Sequence, residues 1–180
     1  VAGAVPSDMR LAVLNALGAT GMVAMRAQFA EYCLDQAQDD TEEGNLRQRA
    51  MGVLARGARN VRRNEGAAAP GWFERAAELG WKMGTAETDG SLRQQGLRLY
   101  SRVAGRERAA GRLKKLILDD AVDEQVRAVA AGQLPHVAPK MPIYEELLQS
   151  YGDLPDTVVY QVASAAARSR EAPGAEAFVI

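Results

Sequence analysis

The sequence predicts an all-α fold, a right-handed α-solenoid of about four to five helical hairpins. Three observations predict it. The pairs Met9-Arg10, Leu46-Arg47, Leu92-Arg93 and Val126-Arg127 each closely follow an acidic residue and head a stretch with helical apolar spacing. Successive units lie roughly 32 to 46 residues apart, the period of two-helix repeats. The chain is 47% hydrophobic but only 6% aromatic, and its apolar part is mostly Ala, Leu and Val. Ala, Leu and Arg are strong helix formers, and sustained alternation of the kind a half-buried strand needs is scarce.

The elements follow in order. Ser7 or Asp8 can cap a first helix, 7–18, which carries Met9, Val13, Ala16 and Leu17 on one face. A second helix over 22–38 spaces Val23, Ala27, Ala30 and Leu34 for burial, and the acidic turn 39–43 leads into the next helix. That helix uses Leu46, Ala50, Val53 and Leu54 and gives way to a glycine- and arginine-rich connection over 57–69. Pro70 opens a helix over 71–83. Asp89 and Ser91 begin a helix with Leu92, Gly96, Leu99 and Tyr100, and its partner covers 106–118. Asp123 starts the next, with Val126, Ala130 and Leu134, before a Pro-marked loop over 134–139. A helix over 143–151 and a last one from Pro155-Asp156, using Val158, Val159, Val162 and Ala166, complete the array. Aligned on the arginine pairs, the fourth position reads Val13, Ala50, Gly96, Ala130 and Val162, mostly small, which lets helices approach. The eighth reads Leu17, Leu54, Tyr100, Leu134 and Ala166, which fills the layer. One domain is expected over 1–170, with 171–180 as a flexible tail.

The segment Asp123-Glu124-Gln125-Val126-Arg127-Ala128-Val129-Ala130 resembles the first-helix signature of HEAT repeats, and the other three arginine pairs are weaker copies. The resemblance covers most of the chain. It implies that Asp123, Arg127, Arg10, Arg47 and Arg93 stabilise turns and neighbouring repeats rather than carry chemistry. The chain departs from that family in its long arginine-rich connection, and its fifth unit lacks the arginine.

Composition and motifs exclude several classes of function. A net charge of −1 gives no global pull toward nucleic acid or membrane. The longest apolar stretch, 11–25, is broken by Asn15, Gly18 and Gly21, so no membrane span is expected. With Cys33 as the sole cysteine, no intrachain disulfide can form, which points to an intracellular location. The start at Val1 suggests a processed form or a piece of a longer protein. His136 has no second histidine or motif-placed nucleophile beside it, and Cys33 has no neighbouring base or cation to lower its pKa. A calcium loop with Gly44 at its sixth position would put Ala50 where a bidentate Glu is required. The turn 18–21 lacks the lysine of a phosphate loop. No enzyme, no metal and no cofactor is expected. Trp72, Phe73 and Trp81 fall on one helix and are expected in the core.

Two basic clusters remain. Arg47, Arg49, Arg56, Arg59, Arg62 and Arg63 occur in a segment without acids, and Arg93, Arg98, Arg102, Arg106, Arg108, Arg112, Lys114 and Lys115 are opposed locally only by Glu107. Of these, Arg56, Arg59, Arg62, Arg63, Arg98, Arg102 and Arg106 are the candidate partner-binding residues. The expected function is a non-catalytic scaffold that binds another protein, one with an acidic surface, through a basic groove or the arginine-rich connection. Two alternatives stay open. One is an accessory helical domain of a larger enzyme, similar in style to the C-terminal HEAT-like domain of zinc aminopeptidases. The other is binding of a nucleic-acid backbone by the arginine clusters, against which stands the scarcity of aromatics among them.

Overall fold

The computed structural model describes residues 5–19, 27–63, 70–138, 142–169 and 174–178. The fold is all-α: the described residues are 83% helical and include no strand. The elements are α1 (Ser7–Ala19), α2 (Ala27–Gln38), α3 (Gly44–Arg63), α4 (Trp72–Ala86), α5 (Gly90–Val103), α6 (Arg106–Leu118), α7 (Glu124–Val137), α8 (Ile143–Gln149) and α9 (Asp156–Arg168). Short 3-10 turns at Tyr151–Asp153 and Ala175–Phe178 follow α8 and α9. The chain, expected as one domain over 1–170, divides into two compact units, Val1–Val103 and Ala104–Ile180.

In the first unit α1, α3 and α5 lie side by side, and α2 and α4 back them, α2 against α3 and α4 against α5. In the second, α6 packs on α7 and α8, and α7 packs on α9. The sequence explains these pairings. Leu46, Ala50, Leu54 and Ala58 are all but fully buried along one face of α3. Leu113, Ile117, Val126, Ala130 and Leu134 do the same for α6 and α7. Each such side chain contributes about 1–3 kcal/mol by leaving water.

The tightest approach joins α4 and α5. A Cβ built on Gly96 would lie 2.5 Å from the Gly84 nitrogen and 2.9 Å from the Gly80 oxygen. One built on Gly80 would meet the Gly96 oxygen and the Tyr100 nitrogen, both at 2.8 Å. Three glycines thus let two backbones touch, with Trp81 tilted against Tyr100 at 5.0 Å. Beyond α9, Gly174 takes a φ of +75°, where only glycine is at ease, and a Cβ there would strike the Glu145 backbone.

The turns repeat as the arginine pairs do. Asp39 and Asp119 each accept from the backbone N–H two residues on, at Thr41 and Ala121. The Thr41 contacts hold the Asp39 carboxyl below the usual carboxylate range. Asp89 and Asp123 take up the first free N–H groups of α5 and α7. Arg47 then reaches back to the Ala37 carbonyl, and Arg127 to the Ile117 carbonyl at 2.8 Å, ten residues upstream in both cases. Arg93, after a shorter turn, donates to the Glu87 carbonyl. Arg10 pairs instead with Glu42 at 2.5 Å. These arginines close carbonyls that the preceding helix leaves open at its end. Arg127 is only 5% exposed, so Arg127→Met should leave a buried carbonyl without its donor. We expect a loss of about 1–3 kcal/mol in urea unfolding, against a near-silent Arg75→Met, whose pairing with Glu31 is half exposed.

Three expectations are corrected. Met9 and Val13 do not face the core but are 58% and 46% exposed; Leu14 and Gly18 are the buried positions of α1. The helix is turned because its contact is α3, which Gly18 allows to come close. The connection over 57–69 is helical as far as Arg63, because Ala58 stays fully buried and continues the α3 core face past Gly57; residues 64–69 lie outside the described residues. The Pro-marked loop is not a loop up to Val137. Pro135 falls in the last turn of α7, where it forfeits the one bond its N–H would make to the carbonyl four residues back, while buried Leu134 and Val137 hold that turn down and Ala138 donates to the Leu134 carbonyl. The start of the second expected helix, 22–26, and Pro139 are outside the described residues. Of the expected tail, Ala175–Phe178 forms its turn against α8 and α9.

Candidate functional site: a basic cleft in the first unit

Three helix faces converge in the first unit. α3 contributes Asn45, Gln48, Arg49, Gly52, Val53, Arg56 and Arg59, a single stripe at helical spacing opposite its core face. α1 contributes Leu11, Asn15 and Gly18, and α5 contributes Gln95 and Arg98. Together they line a cleft of about 520 Å³. Four of the described lining residues are arginines and none of these residues is acidic; α3 and α5 contain no acid at all.

The arginines differ in what already holds them. Arg56 donates to the Gly18 carbonyl near the end of α1, so it ties two walls together. Among the described residues no carboxylate pairs with Arg49, Arg59, Arg98 or Arg102. The Nε atoms of Arg49, Arg59 and Arg102 and the Oε1 of Gln95 are buried without a hydrogen-bond partner. Burial, and then the positive charges of Arg59 and Arg98, hold the Arg102 guanidinium below its ordinary range. Like charges have been gathered and partly stripped of water, with no counter-ion among the described residues of the unit. The contrast lies between α2 and α4, where a cleft of about 860 Å³ carries charges of both signs. There Arg47 pairs with Glu87 at 3.1 Å and Arg75 pairs with Glu31.

Of the candidates read from the sequence, Arg56, Arg59 and Arg98 line the cleft, and Arg102 stands beside the last two. Arg62 is occupied elsewhere: it donates to the Val103 carbonyl at 2.9 Å and lies over the Phe73 ring at 5.6 Å. Arg106 opens α6 in the second unit and is not among the described lining residues. The side chain of Arg63 is outside what the structure describes. The candidates omitted Arg49 and the uncharged Asn15, Asn45, Gln48 and Gln95. Once α3 is known to run to Arg63, the acid-free stripe 45, 48, 49, 52, 56, 59 is the signal that finds most of them.

The remaining candidates sit as core or helix-end residues. Trp72 and Phe73 are buried edge to face at 4.4 Å. His136 stands exposed in the last turn of α7. Among the described residues no three of His, Cys, Asp or Glu gather as a metal site, and no helix is long and apolar enough to cross a membrane. Cys33 is fully buried, and burial pushes its thiol up to about 12. It should therefore ignore a maleimide at pH 8 in the folded protein and react once the protein is unfolded. The same shift has a linkage sign: the unfolded thiol ionises near 9 while the folded one keeps its proton, so this group lowers stability as pH rises above about 9. Rapid modification of the native protein would contradict this.

Set against known proteins, the chain matches no family, no curated protein and no solved structure.

Proposed function

We propose that the chain is a HEAT-like helical-repeat module, a right-handed α-solenoid in its repeat logic, and that it works as a non-catalytic scaffold. Its partner is another protein, which presents an acidic segment to the basic cleft of the first unit. The observation that carries this is a set of arginines with no carboxylate partner among the described residues, Arg49, Arg59 and Arg98 in the cleft and Arg102 beside it, without an acid among the described lining residues. Guanidiniums held this way gain most from an anion that completes them, and charge-assisted hydrogen bonds are about twice as strong as neutral ones. The HEAT-like part is supported by the recurring turns and by Arg47 and Arg127 reaching the same ten residues back. A nucleic-acid backbone is the weaker reading, since the described lining residues include no aromatic to stack a base.

The test is capture from the source lysate with the intact chain, with Arg59→Glu/Arg98→Glu, and with Arg106→Glu. A protein partner lost in the double variant, and kept by Arg106→Glu, supports the reading. A partner retained by the folded double variant sinks it.

A further inference from the structure

The cleft carries a more specific pattern than diffuse positive charge. Arg98 and Arg102 stand one turn apart on α5, and Arg59 faces them from α3. Arg59 and Arg98 line the cleft, and Arg102 is partly buried beside them, its burial first and their positive charges second holding its guanidinium below the ordinary range. The buried Nε donors of Arg59 and Arg102 are left without an acceptor. A single carboxylate supplies one negative charge and two oxygens, too little for three guanidiniums. A phosphomonoester supplies a charge of about −1.5 to −2 and three oxygens, and it matches the planar fork of arginine bidentately.

We propose that Arg59, Arg98 and Arg102 form a phosphoryl-binding subsite of the cleft, and that the favoured partner segment is a phosphorylated stretch of protein. The proposal rests on the cleft being the partner surface. The carboxamides of Asn15, Asn45, Gln48 and Gln95 along the walls fit a polypeptide, because each both donates to and accepts from a peptide backbone. The lack of an aromatic among the described lining residues sets single-stranded nucleic acid behind a phosphopeptide.

The experiment uses the full chain and four probes: an acidic peptide with one phosphoserine, the same peptide with serine, a 12-nucleotide RNA, and inorganic phosphate. Fluorescence anisotropy should show the phosphopeptide binding at least about tenfold more tightly than its unmodified twin. Inorganic phosphate should displace it better than chloride at equal ionic strength, and should raise the unfolding midpoint of the intact chain. In Arg98→Gln and Arg102→Gln the tenfold preference and the phosphate response should vanish. Their midpoints without phosphate should hold or rise, because repulsion among the three cations is relieved. Equal affinity for the two peptides overturns the subsite, as does a preference that survives in a folded Arg98→Gln. Tighter binding of the RNA than of the phosphopeptide also overturns it. If Arg98→Gln weakens both peptides alike, the subsite fails while the reading of the cleft stands. If neither peptide binds, both fail.

Discussion

Replacing Gly96 by valine should lower the unfolding midpoint by roughly 6–12 °C, the largest stability effect expected of any single substitution in the first unit. The reason is geometric. The position has no room even for a Cβ, which would sit 2.5 Å from the Gly84 nitrogen, 2.8 Å from the Met83 Cβ and 2.9 Å from the Gly80 oxygen. Two of those three atoms are backbone, so no side chain can swing aside to make space. The helices α4 and α5 must part, and the fully buried Leu97, Leu99 and Tyr100 lose contact with them. Overpacking of a core typically costs about 1–3 kcal/mol and occasionally more, and this position belongs at the upper end. Gly111→Ala in α6 supplies the opposite sign. That glycine is exposed in a helix interior, and nothing lies within 4 Å of its added Cβ. Alanine there should stabilise by about 0.5–1 kcal/mol. Calorimetry on the two variants checks both; equal and small shifts would mean that α4 and α5 are not in backbone contact.

The second large effect is on binding. Arg59→Glu/Arg98→Glu should weaken the acidic partner by roughly 100-fold or more, since hydrogen bonds to charged groups are worth about 1.5–3 kcal/mol each and two are reversed. The change adds repulsion as well as removing attraction. For the intact chain the affinity should fall between 50 and 300 mM salt, because the exposed part of this attraction is screened within about 10 Å. The folded state should tolerate the change. Among the described residues neither guanidinium has a carboxylate partner to strand, so near-native unfolding midpoints accompany the loss. A titration by anisotropy at both salt concentrations measures the two quantities together. A salt-insensitive affinity, unchanged in the double variant, would place the partner elsewhere.

How much of this was legible before the structure depends on the residue. The helix starts at Glu124 and Arg106 follow from local chemistry, whereas structural roles for Asp123, Arg47, Arg93 and Arg127 were suggested only by the resemblance to HEAT repeats. Gly96 was legible as a small residue where helices approach, although its partners Gly80 and Gly84 were not. The end of α3 was misread because Gly57 and a run of arginines look like a break. Only burial of Ala58, a tertiary fact, extends the helix to Arg63. That misreading hid the site. Read as a connection, the arginines have no common face; read as a helix, Arg49, Arg56 and Arg59 fall on one stripe. Arg62 was lost to the Phe73 ring and the Val103 carbonyl, contacts that join residues far apart in sequence. Gln95 and Asn15 carry no charge and gave no signal alone. They matter because α1, α3 and α5 bring them to the same cleft.

If the partner occupies the basic cleft of the first unit, the arginines there are covered on binding. Arginine-selective labelling with phenylglyoxal, read residue by residue by mass spectrometry with and without the captured partner, tests it most directly. Arg49, Arg59, Arg98 and Arg102 should lose reactivity on binding, while Arg75 and Arg106 keep theirs. Unchanged labelling at those four, with protection appearing at Arg75 or Arg106 instead, would contradict it.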